Sequence, residues 1–184
     1  MNKAHKAVVF DAAAAPELNS GSLEDFVREA RRAAGLRADV SVLITGDSNM
    51  RQLNSRFRGK NSATDVLSFP AAESNGFAGD IAVSFSFASR NARALGHSVA
   101  DEIRILILHG ILHLAGYDHE KDRGEMEAKE TALRRKLALP TGLIERSSRT
   151  GKSLVVGHSL FAKSRKSTRV GQRPTSKDQR LSRT

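Results

Sequence analysis

Hydrophobic and polar positions along this chain alternate between a period of two and a period near 3.6. The switches between the two divide it into short strands and helices. Residues 6–11, KAVVFD, form a short apolar run that predicts an opening strand. Ser22 then precedes Leu23, Phe26, Val27 and Ala30, spaced i, i+3, i+4, i+7. Asp25 stands three residues after Ser22 and Gly35 beyond the stripe, which predicts a helix capped by Ser22. Residues 40–45, VSVLIT, are rich in β-branched side chains and predict a strand, after which Asp47 caps a short helix through Phe57. Two further strands are expected at residues 65–69, closed by Pro70, and at 80–84, after turn residues 75–79. A short helix follows over 86–95. Ser98 and Asp101 open the next helix, where Ile103, Leu106, Ile107, Leu108, Ile111, Leu112 and Leu114 leave almost no polar face. A helix apolar nearly all round is a buried one, and Gly116 suits its left-handed stop. Asp122 and Glu125 begin a last helix whose Met126, Leu133 and Leu137 share a face before Pro140. Strands intermixed with helices predict a small single α/β (α+β) domain. It has a mixed four-stranded sheet and one central buried helix.

Charge changes this picture at one end. Of the net +10 carried by 184 residues, almost all lies late. Residues 1–146 hold 20 Lys and Arg against 19 Asp and Glu, and residues 147–184 hold 10 against 1. The late segment, rich in Ser, Thr, Lys and Arg, has apolar patches only at 154–156 and 160–161. That is too little to offset chain entropy, so residues 147–184 are expected to be a disordered basic tail on a domain spanning 1–146. Its charge suits non-specific attraction to RNA phosphates. The chain has no Cys, so disulfides and thiolate metal sites are excluded. No run approaches the roughly 20 apolar residues of a membrane span. The N-terminal stretch has no signal-peptide core, since Asp11 cuts its apolar run short. These features predict a cytoplasmic protein.

Chemistry concentrates in residues 109–119, HGILHLAGYDH, which contain three of the six histidines and the single tyrosine. His109 and His113, four apart on a helix, project from one face and can share one metal ion. After Gly116 the turn can return His119 to the same point. Three nitrogen ligands leave a coordination position open, as in catalytic zinc, where the metal can acidify a water. The plain alternative is a pair of unrelated helix histidines. For Tyr117 and Asp118 it is turn chemistry, with Asp118 also able to orient a ligand histidine. His109, His113, Gly116 and His119 also fall on the peptidase pattern H-E-x-x-H-x-x-G-x-x-H. Position 110, however, is Gly where a peptidase carries its general base.

The same stretch resembles the signature H-G-x-L-H-L-x-G-Y-D-H of the YbeY-type endoribonucleases that mature ribosomal RNA, matching at every defined position. Residues 53–70, LNSRFRGKNSATDVLSFP, resemble the family's second block, with Phe57 where the family usually has Tyr. Residues 79–84 and 122–130 resemble its third and fourth blocks, and the likeness stops before the tail. The resemblance implies a single-strand-specific, metal-dependent endoribonuclease. Its expected work is maturation of the 3′ end of 16S rRNA and late 70S ribosome quality control, with ribosomal RNA and small-subunit proteins as partners. It implies His109, His113 and His119 as ligands of one zinc per chain, and Arg58 as the catalytic residue that also binds substrate phosphate. It implies Asp80 as a residue for docking partners. Without the matched block, Arg58 and Lys60 would read as solvated cations. Two other functions stay open on the sequence: an assembly factor whose metal is structural, and a metallopeptidase-like hydrolase.

Overall fold

The computed structural model describes residues 8–11, 18–72, 76–141 and 154–155. Ten elements follow in order: β1 (Val8–Phe10), α1 (Ser20–Ala33), β2 (Asp39–Thr45), α2 (Asp47–Arg58), β3 (Val66–Pro70), β4 (Phe77–Ser84), α3 (Phe85–Leu95), α4 (Val99–Leu114), α5 (Glu125–Lys136) and β5 (Leu154–Val155). The sheet runs β1-β2-β4-β3-β5. β1, β2 and β4 are parallel, β3 is antiparallel to β4, and β5 lies parallel to β3. The expected mixed four-stranded sheet is therefore present, with β5 added at its edge. The tail was expected to be disordered, yet its Leu154–Val155 pairs with Leu67 and Ser68 of β3. The rest of that expectation, and residues 6–7 of the opening strand, lie outside the described residues.

Strand alternation sends successive side chains to opposite faces. On β4, Ile81 and Val83 join the larger core with Val42, Ile44 and the apolar side chains of α1 and α4. Ala82, between them, joins Leu67, Phe69 and Met50 on the other face, under α2. Helices thus cover both faces. The core is aliphatic around α4, whose Ile103, Ile107, Leu108, Ile111 and Leu112 have no exposed surface.

Local chemistry shifts three predicted boundaries. Asn19 caps α1 in place of Ser22, its Oδ1 accepting the Ser22 N–H at 3.1 Å. That frees the Ser22 hydroxyl to accept from Arg104 of α4. At α2 the cap position is Gly46, and Asp47 instead accepts the Ser84 hydroxyl at 2.8 Å, tying α2 to the end of β4. β4 begins at Phe77, three residues ahead of the expected start, because pairing with β2 extends back to Asp39. Packing forces the glycine in α4: a Cβ at Gly110 would sit 2.8 Å from Cγ2 of Ile81 and 3.1 Å from Oγ of Ser68. α4 therefore lies directly against β3 and β4 at that point, which fixes which of its faces is left for chemistry.

Candidate metal centre

His109 and His113 share another face of α4, His109 half-buried and His113 buried. The helix begins at Ser98, whose hydroxyl accepts the Asp101 N–H at 3.0 Å, and it ends because Gly116 takes φ +95°. The Gly116 N–H then donates to the His113 carbonyl and the Tyr117 N–H to that of Leu112, each at 3.0 Å. This closure reverses the chain as expected and lays His119 over the last turn. The His119 ring centroid is 5.6 Å from that of His109 and 5.3 Å from that of His113. One ligand nitrogen from each of the three lies within 4.8 Å of the others.

Hydrogen bonds fix two of the three rings. His113 Nδ1 lies 3.0 Å from the Tyr117 carbonyl, which can only accept, so Nδ1 carries the proton. His109 Nδ1 lies 2.8 Å from Oε2 of Glu130 on α5. Burial alone would push the Glu130 carboxyl up, but the bond and charge of His109, together with Arg134, outweigh it and hold the carboxyl at about 2. Glu130 is then an acceptor too. Each ring therefore turns its Nε2 towards the other, and the two atoms lie 3.2 Å apart. At that distance the two nitrogens need a cation between them, a proton or a metal ion. Two nitrogens on one tetrahedral zinc, each about 2.05 Å away, are roughly 3.3 Å apart. Nδ1 of His119 is buried with no hydrogen-bond partner, as expected of an atom kept for an ion. Burial first, and then the neighbouring His109, lower the His113 pKa to about 4, so this ring is neutral and able to ligate at pH 7. The donor set fits a divalent transition metal.

Of the remaining expected residues, Arg58 shares electrostatic partners with this point. Arg58 is the last residue of α2. Burial lowers its pKa against the opposing charges of Glu120 and Asp65. Glu120 directly follows His119, and Asp65 itself interacts with His109, so the end of α2 belongs to the same electrostatic neighbourhood as the histidines. Burial raises the Asp65 pKa despite bonds from the Val66 N–H and the Thr64 hydroxyl. Lys60 is exposed. Asp80, expected at a docking surface, is 1% exposed within β4 and presents no surface to a partner. Asp118 does not orient a ligand ring. Its carboxylate accepts the Glu120 N–H and pairs with Lys121, so it serves the turn. Glu130 and the Tyr117 carbonyl hold the rings instead. Sequence reasoning missed Glu130, although one signal was available: it lies four residues after Met126 and three before Leu133, on the buried face of α5.

Three imidazoles converging at the end of a buried helix, over a mixed sheet with helices on both faces, define a small α/β protein built around a three-histidine site. The family model described as endoribonuclease YbeY matches residues 3–138. The chain belongs to that family. A relative from Koribacter versatilis, named endoribonuclease YbeY, is 59% identical over 131 residues, covering 71% of this chain and 86% of that protein. One of the same name from Aquifex aeolicus is 45% identical over 117 residues, covering 61% of this chain and 77% of the other. A solution structure of a Thermotoga maritima protein superposes with a TM-score of 0.52 at 27% identity. It covers 77% of this chain and 99% of that one.

Proposed function

We propose that this chain is a zinc-dependent endoribonuclease that cuts single-stranded RNA. Its role on this reading is in the cytoplasm, in maturing the 3′ end of 16S rRNA and in late quality control of the 70S ribosome. Membership of a family whose relatives carry the name endoribonuclease supports the reaction class. The observation that carries the reading is the pair of histidine Nε2 atoms converging to 3.2 Å while both Nδ1 atoms are committed to acceptors. On this reading His109, His113 and His119 hold the ion, and Arg58 holds the phosphodiester. Bound zinc would supply Lewis acidity towards the phosphoryl oxygens and lower the pKa of water. The planar guanidinium of Arg58 can donate two parallel N–H bonds to phosphate oxygens and stabilise charge as it develops there. Ribosomal RNA and small-subunit proteins are the partners, and the basic tail adds non-specific attraction to RNA.

The position of Gly110 speaks against peptidase chemistry. A glutamate there would have to displace Ile81 and Ser68 of the sheet. The testing experiment is digestion of a defined single-stranded RNA by the zinc-loaded protein, with casein as a control substrate. The reading predicts cleavage of RNA, loss of cleavage on chelation, recovery with zinc, and intact casein. A zinc-loaded protein that leaves the RNA uncut would favour a structural metal in an assembly factor, and would overturn the reading.

A further inference from the structure

Glu130 stands outside the stretch that supplies the histidines, on a different helix, yet both of its carboxylate oxygens are committed. Oε2 lies 2.8 Å from His109 Nδ1, and Oε1 bonds Arg134 one turn further along α5. The Glu130 and Arg134 side chains are 12% and 7% exposed. A buried carboxylate gripped on one oxygen by a guanidinium cannot rotate away, so its other oxygen faces His109 in one orientation only. A carboxylate can accept but not donate, so this contact dictates which imidazole nitrogen carries the proton.

We propose that Glu130 is a positioning residue of the metal centre: it holds the Nδ1 proton of His109 so that Nε2 faces the shared site, and Arg134 locks it in that pose. α5 is then part of the centre although it contributes no ligand. His113 gains the same control from a backbone carbonyl, which no side-chain substitution can remove. The control on His109 can be removed, and that makes it testable. The inference rests on the reading that the three histidines hold a metal. The competing explanation is that Glu130 only pins α5 onto α4.

Glu130→Gln separates the two. It is isosteric, and its amide oxygen can keep the bond from Arg134. The amide NH2 is then turned towards His109, where it donates to Nδ1 and shifts the proton to Nε2, the nitrogen needed for the ion. Two readouts are taken on the full-length protein. Long-range ¹⁵N–¹H NMR of the metal-free protein at neutral pH reports the His109 tautomer, and competition with a chromophoric chelator reports zinc affinity. The wild type should show His109 protonated at Nδ1. In Glu130→Gln the signal should move towards the Nε2–H form, and zinc should bind roughly 10–100-fold more weakly, the usual cost of removing such an outer partner. Glu130→Ala should leave His109 averaging between tautomers, with a similar loss of affinity. The same substitution made on His109→Ala should cost little more, since its effect passes through His109. An unchanged tautomer in Glu130→Gln, or an unchanged zinc affinity, overturns the proposal, and a lowered melting temperature alone would assign Glu130 to pinning the helix. Failure of the wild type to bind zinc would overturn the metal reading instead, and the tautomer would still decide whether Glu130 controls His109.

Discussion

At the scale of single residues, the site depends on which atoms are left with nothing to do. The Nδ1 atoms of His109 and His113 are occupied, so their Nε2 atoms are available and close together. Arg58 is not among the metal-directed nitrogens, so Arg58→Ala should keep zinc and the folded spectrum. It should lose RNA cleavage by about an order of magnitude or more, as expected when a charge-stabilising donor is removed. Arg58→Lys should restore little, because an ammonium cannot reproduce the two-pronged contact. Cleavage at the wild-type rate in the alanine variant would reduce Arg58 to a surface cation. Gly110 permits an equally local test. Helix propensity favours alanine over glycine by about 1 kcal/mol, but a Cβ there meets the fully buried Ile81 at 2.8 Å. Overpacking of that kind costs about 1–3 kcal/mol. Gly110→Ala should therefore lower the denaturation midpoint, and a raised midpoint would show that α4 has room to move off the sheet.

At the scale of elements, caps and covered faces decide where helices begin and which way they point. Asn19→Ala should cost about 1 kcal/mol in urea unfolding. Ser22→Ala should cost less, because its hydroxyl is no cap and only accepts from the partly exposed Arg104. Equal losses would return the cap to Ser22. This pair also shows where sequence reading stops. The stripe of Leu23, Phe26, Val27 and Ala30 announced α1, and all four are buried. Which of several polar residues ahead of the stripe closes the first turn depends on backbone geometry, which periodicity does not carry. α4 was legible because its apolar surround and its stop at Gly116 are both local. The place of β4 between β2 and β3 was not, since strand order is set by contacts between distant segments. Nor was the buried Glu102, which accepts from Asn91 at 3.1 Å and pairs with His97 at 2.8 Å across the α3–α4 junction. The histidine ligand candidates could be read from their spacing. For Glu130 the spacing shows only a place on the buried face of α5, because its partner lies 21 residues away on another helix.

At the scale of the whole molecule, charge and chemistry are separated along the chain. Residues 147–184 carry 10 basic and 1 acidic side chain, whereas Arg58 and the three histidines all precede them. A variant ending at Arg146 loses β5, but β3 keeps its full antiparallel pairing with β4. It should fold, bind zinc and cut a short saturating RNA at close to the full-length rate. Each phosphate neutralised on single-stranded RNA contributes about −0.7 to the slope of log affinity against log salt. If four tail cations meet phosphates, truncation should flatten that slope by roughly 3 units. Identical slopes would show that the tail does not contact RNA. The central claim, one ion shared by three histidines, is tested most directly by elemental analysis of zinc in the purified protein. The wild type should hold about one zinc per chain. His113→Ala should hold far less, because two imidazoles keep the ion poorly, and His158→Ala, in the basic segment after Arg146, should match the wild type. Equal zinc in all three proteins would contradict the account.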